Sequence, residues 1–347
     1  LTLGDGSATT VSVSSVTGAN AVAGAGTGSN LTLNTTGTVS VSGAIGTDIG
    51  TLTVTQSGGT TFSGAVSAAT VVLTDTTDSA TIEFAGNLTA SSGLSVNADG
   101  GADAFNVSVL GSSNSVAGTT TFKNTGTVTL GNGGDSLAFT GGVIATAPTQ
   151  INVNGTLTAA GSGVITLGDS DSGVAIGGTS LLGGTSTGQI TLGALTLADG
   201  ITLTVGTGIA NVLSLSTVSG TADGSASHLT LNTTGTVSVS GAIGTDIGTL
   251  TVTQSGGTTN ADGGADAFNV SVLGGSNSLA GTTTFRNTGT VTLGDAASDV
   301  TTFSGGVTAT VPGQINVAGT VQTSNAALTL GDGNADAVVV TDDATLK

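Results

Sequence analysis

Apolar and polar residues alternate in short runs along almost the whole chain. Leu31-Thr32-Leu33 sets two leucines on one side and a threonine on the other. The same alternation recurs at Val39/Val41, Leu52/Val54, Ile82/Phe84, Phe105/Val107/Val109, Val128/Leu130, Ile151/Val153, Ile165/Leu167 and Ile201/Leu203/Val205. A period of two places successive side chains on opposite faces of a β-strand. Each run is short and is bounded by Gly, Asn, Asp or Ser, the residues that turns favour. No 3.6-residue apolar period is sustained, and Glu, Lys, Arg and Gln are too scarce to clothe a helix surface. The pattern predicts an all-β chain of many short strands.

The strands return at a regular interval. Leu52 follows Leu31 by 21 residues, Phe62 follows Val41 by 21, Phe84 follows Phe62 by 22 and Val128 follows Val107 by 21. A closed turn of two or three short strands needs about 20 residues, so the spacing predicts a parallel β-helix, or β-solenoid, with coils of about 20 residues. Leu31, Leu33, Val39, Val41, Leu52 and Val54 should point inward and stack on like residues of adjacent coils. A string of β-sandwich domains would also show frequent turns, but it would carry large core aromatics and a repeat of roughly 100 residues. This chain has no Trp or Tyr.

A long duplication supports the same reading. Residues 31–61 recur without one change 198 positions later, at 229–259. In the first copy 35 residues (62–96) intervene before the segment that starts at Asn97; in the second that segment starts at once, at Asn260. The match then runs to Gly131 and Gly294, with Ser112, Val116 and Lys123 replaced by Gly275, Leu279 and Arg286. The internal repeat 31–131 is thus duplicated as 229–294 without the block. A core that closes on itself rarely survives such a loss, whereas stacked coils touch only their neighbours. The expected organisation is one continuous solenoid over 1–347, with the block equal to about two coils.

Composition adds constraints. Gly supplies 60 of 347 residues without a triplet period, Cys is absent, and 21 acids face three Lys and Arg, for a net charge of -18. Such a charge gives no footprint for nucleic acid. No apolar run approaches the ~18 residues that span a bilayer, so no membrane span is expected. All the acids but Glu83 are Asp, a turn former, which places them in corners.

Those corners carry the candidate chemistry. LGDG or a relative of it appears at Leu3, Leu130, Leu167, Leu293 and Leu330, and DGGADAFNV appears at 99–107 and 262–270. These partly match the calcium nonapeptide of β-helices, in which Asp and backbone carbonyls supply hard oxygen ligands. The candidate calcium turns are Asp103, Asp135, Asp169, Asp266 and Asp332. The matches are isolated, whereas neighbouring turns share each ion when the motif repeats in tandem, so plain Gly/Asp turns fit better. Thr-x-Thr triplets such as Thr51/Thr53/Thr55 and Thr249/Thr251/Thr253 could rank into an ice-binding face, but Leu31-Thr32-Leu33-Asn34 and Leu94-Ser95-Val96-Asn97 interrupt the rank. Asn34, Asn97, Asn154 and Asn232 follow strands, where Asn tolerates left-handed geometry and can bond between coils. The lone His228 aligns with Asn30 of the other copy, and no second His exists to build a triad, so no catalytic residue is expected.

VSVSGAIGTDIGTLTVTQSGGTTFSGAV and FTGGVIATAPTQINVNGTLTAAGSGVITLGD resemble the β-strand repeats of filamentous-haemagglutinin-like and autotransporter-like bacterial surface adhesins. The resemblance covers nearly the whole chain and rests on repeat style. It implies a right-handed parallel β-helix, secretion to the cell surface, and a structural or adhesive role in a surface fibre or biofilm, with no catalytic residues. The family's secretion domain, outer-membrane barrel and Arg-Gly-Asp tripeptide are not in this sequence. The expected partners are a host-cell, matrix or neighbouring-cell surface. LTLGDG occurs at both Leu1 and Leu328, so end-to-end self-association, or continuation into a longer chain, is expected as well. The alternative is a calcium-stabilised or ice- or ligand-binding solenoid.

Overall fold

Inward aliphatic pairs at regular spacing can be buried only if successive strands lie over one another, and the computed structural model stacks them in this way. It describes residues 1–18, 28–46, 48–97, 103–222, 224–241, 243, 246–254, 257–260, 269–273, 277–279, 282–333 and 337–347, with the backbone alone for 253, 254, 257–260 and 278. Among these residues there is no helix, and the chain forms a β-solenoid of parallel strands with coils of about 23 residues. The coil slightly exceeds the interval of about 20 because several corners hold extra residues. Contacts divide the chain into two compact units, Leu1–Gly178 and Thr179–Lys347.

In the first unit three ladders of strands enclose the core. One runs Leu31, Leu52, Val71, Leu94 in direct register. The second runs Val39, Thr60, Ile82, Val107, Val128, Ile151, Val174. The third passes through Ile45, Val66 and Leu88. Leu31, Leu33, Val39, Val41, Leu52 and Val54 are all buried, while Ser40 is exposed and Thr32 and Thr53 are half-buried, as the alternation requires. Removing each such aliphatic side chain from water contributes about 1.5–3 kcal/mol. The largest inward residues stack as well. The Phe62 and Phe84 rings lie 4.9 Å apart and 12° from parallel, and Phe122 meets Phe139 edge-on at 6.3 Å.

In the second unit the longest ladder runs Leu203, Leu229, Leu250, Val270, Val291, Ile315, Val338. The duplication can be compared here strand by strand. Leu250 and Val270 are direct partners. Their counterparts in the longer copy, Leu52 and Val107, belong to different ladders. The same residues therefore serve on either side of a coil. This works because every strand offers the same small, alternating inward pair.

Glycines that follow an inward Leu or Val mark close approaches between coils, at strand ends for Gly4 and Gly294 and inside the long strands Thr127–Phe139 and Thr202–Ile209 for Gly131 and Gly206. Gly4, Gly131, Gly206 and Gly294 have φ between 77° and 88°, a left-handed geometry that suits glycine. Each lies against the backbone of the next coil. An added Cβ would collide with the carbonyl oxygen of Asn34, Asn154, Asn232 or Ala318 respectively. These glycines are thus explained by backbone sterics alone. Gly131→Ala should lower stability by about 1–3 kcal/mol in chemical denaturation. Gly46→Ala, with no atom within 4 Å of the new Cβ, should stay within about 0.5 kcal/mol of wild type.

Candidate functional site: corners and outer faces

A solenoid corner must turn the chain while leaving no backbone group unsatisfied. Ser, Thr or Asn followed two residues later by Gly solves both problems here. Thr35, Ser57, Ser186 and Thr233 are buried, and each hydroxyl accepts the N–H of Gly37, Gly59, Gly188 or Gly235 at 2.9–3.3 Å. The same side chains reach the neighbouring coil. The Thr35 hydroxyl lies 2.7 Å from the Ser7 carbonyl, Ser57 and Thr76 bond hydroxyl to hydroxyl at 2.8 Å, and Thr233 Oγ1 lies 2.6 Å from the Asn211 carbonyl. Asn211 Nδ2 in turn donates to the carbonyls of Ser186 and Gly188 at 2.6 and 2.7 Å. Asn124 Nδ2 donates to the Phe105 carbonyl at 2.9 Å. These buried corner bonds were not singled out from the sequence, although the Ser/Thr/Asn-x-Gly spacing that marks several of them is visible in it.

Of the four asparagines expected to follow strands, Asn34, Asn154 and Asn232 lie within strands, and only Asn97 takes the left-handed geometry. Asn97 is left-handed, with φ of 54°, and its Nδ2 donates to the Lys123 carbonyl at 3.3 Å. Asn34 Oδ1 accepts from Gln56 Nε2 in the next coil at 2.9 Å. A further set acts from outside: Asn30, Asn106 and Asn269 each accept the N–H of a threonine 21 residues on, at 2.7–3.0 Å.

The candidate calcium aspartates occupy separate places. Asp135 is buried, and its Oδ2 accepts the Asn132 N–H at 2.8 Å. Asp169 Oδ1 accepts the Asp171 N–H at 2.9 Å on an exposed turn. Asp103 is half-buried, and its carbonyl accepts the Thr125 N–H at 2.8 Å. Asp332 is exposed, after a left-handed Gly331. Asp266 lies outside the described residues. Among the described residues no three acidic or histidine side chains converge on one point. The Asp135 and Asp169 carboxylates act as turn acceptors.

A clear case is a loop that was not proposed as a site. Asp299 Oδ2 accepts the N–H groups of Asp295 and Ala296 at 2.9 and 3.0 Å. The Asp295 N–H bond, with that of Ala296, holds the Asp299 carboxyl below the usual carboxylate range. A hydrogen bond to Asp299 raises that of Asp295. A lowered folded pKa stabilises the loop above the unfolded value, and that support is lost as pH falls through the lowered pKa.

The outer faces are hydroxyl-rich. In the second unit the outward positions form rows Thr202/Thr204, His228/Thr230, Thr249/Thr251, Asn269/Ser271, Thr290/Thr292 and Gln314/Asn316. The rank is longer than the sequence suggests, but His228, Asn269 and the Gln314–Asn316 pair, bonded at 2.6 Å, break its uniformity. In the first unit Val72 interrupts the column Thr32, Thr53, Ser95. His228, Lys123 and Arg286 are exposed and lie apart in sequence and register.

Turn aspartates that already accept their own backbone N–H groups have little to gain from calcium. Adding 5 mM calcium in place of chelator should move the melting temperature by less than about 2 °C. A rise of about 10 °C would reassign these turns to bound metal.

No protein-family model, no curated protein and no solved structure matches this chain.

Proposed function

We propose that this chain is a structural and adhesive segment of a bacterial extracellular surface fibre. The observation that carries the reading is the interchangeability of its coils. One sequence, Leu52–Val54 or Leu250–Val252, is used beside different neighbours in the two copies, with the same inward residues buried. Such a stack can gain or lose material without altering its chemistry, which suits a part whose job is length and spacing. A surface of Thr, Ser, Asn and Asp with net charge -18 favours solubility and self-repulsion along the sides.

End-to-end association is the partner reading that fits. Neighbouring coils already pair through parallel strands, as Ala337–Leu346 pairs with Gln314–Thr323, and a second copy could stack on a coil by the same pairing.

An antibody raised against the chain should label intact producing cells, and surface proteolysis should remove the label. Labelling that appears only after lysis would contradict the proposal.

A further inference from the structure

Two asparagines of this chain, Asn132 and Asn154, are followed by glycine, and every other asparagine is followed by a residue that carries a side chain. The two lie on paired strands, yet their surroundings are opposite. Strand Thr127–Phe139 pairs with Gln150–Ala159 where Leu130 meets Val153 and again where Asp135 meets Gly155. Residues 131–134 therefore stand opposite Asn154 alone and bulge out of the ladder. Asn132, Gly133 and Gly134 are exposed. No atom lies within 4 Å of the place a Cβ would take on either glycine. Asn154 and Gly155, in contrast, sit inside a continuous strand. Gly155 lies against the Asp135 backbone, where an added Cβ would come within 2.5 Å of the carbonyl oxygen. The Asn154 side chain lies along Gly177 and Gly178 of the next coil.

An Asn-Gly pair is chemically special because glycine has no Cβ in the way and reaches dihedral angles closed to other residues. Its backbone nitrogen can therefore turn onto the side-chain amide of the asparagine before it. We propose that Asn132 is a site of spontaneous, enzyme-free deamidation and that Asn154 is protected by its strand. The Gly133 nitrogen gives its proton to solvent and attacks Asn132 Cγ. The bond from Cγ to Nδ2 breaks, ammonia leaves, and a five-membered succinimide closes. Water then adds to one of the two ring carbonyls and leaves aspartate or isoaspartate, with no oxidant or reductant involved. Asn154 must first leave its strand before Gly155 can turn in the same way, and that local opening costs free energy.

The product has a counterpart in the molecule. The duplicated segment ends at Gly131 and Gly294, and the next positions are Asn132 and Asp295. Asp135 Oδ2 accepts the Asn132 N–H as Asp299 Oδ2 accepts that of Asp295. Hydrolysis to aspartate thus gives the corner of the longer copy the carboxylate pair of the shorter, and adds one negative charge.

Incubation of the folded chain in heavy-oxygen water at mildly alkaline pH, then digestion in acid and peptide mass spectrometry, reads both sites at once. Asn132 should take up the label at least about tenfold faster than Asn154. In denaturant, where neither has a ladder, the two rates should come within about twofold of each other. Asn132→Gln should lose the label at that position, because the ring it would have to close is larger. No uptake at Asn132, equal rates in the folded chain, or a ratio that denaturant leaves unchanged would overturn the proposal.

Discussion

Everything in this chain answers to one constraint: each strand must present an inward pair that stacks on the inward pair of the next coil while its backbone bonds to that coil. Parallel ladders spaced about 4.8 Å apart leave room for little else. Inward residues are therefore mostly Val, Leu, Ile, Ala and Phe, and they are almost completely buried. Corners must turn within a few residues, so they use left-handed glycine against a neighbouring carbonyl and Ser, Thr or Asn side chains that bond across coils. The outward positions bear no such demand, and they drift among Thr, Ser, Asn, His and Glu.

The same constraint explains why the sequence tolerates duplication and loss. A globular core specifies each side chain by its unique neighbours, so a removed block leaves mismatched surfaces. Here Leu250 rests on Val270 as readily as Leu52 rests on Val71. The match is not complete. At the seam Asn260 takes the register place on Val239 that Phe62 holds on Val41. Tolerance in a solenoid therefore means that damage stays local, confined to the coils that meet at the seam.

Much of the fold was legible because its signal is periodic and local. The alternation Leu31-Thr32-Leu33 identifies the inward face, and the 21-residue return to Leu52 identifies the neighbour. The ladder exchange around Leu250 and Val270 was not legible, because every strand carries the same pattern and no side chain records which side of the coil it occupies. The corner hydroxyls of Thr35 and Thr233 were overlooked for a related reason: threonine is common in strands, and only the glycine two residues on separates a buried corner threonine from an outward one. The aspartates of the Leu-Gly-Asp phrases drew attention as metal ligands because ligand and turn chemistry use the same residues. Only their donors, the N–H groups of Ser7, Asn132 and Asp171, distinguish the two uses.

The exchange of ladders between identical sequences is the central claim, and engineered disulfides test it directly because the chain has no cysteine of its own. Outward residues that are direct ladder partners lie about 4.8 Å apart at Cα, within the 4.4–6.8 Å that a disulfide spans. Thr251→Cys with Ser271→Cys joins such partners in the second unit, and Thr53→Cys with Val72→Cys does so in the first. The equivalent of the first pair in the longer copy, Thr53→Cys with Ser108→Cys, joins residues of different ladders. Mild oxidation should cross-link the first two pairs nearly completely and leave the third reduced. Cross-linking at positions 53 and 108, or none at 251 and 271, would contradict the account.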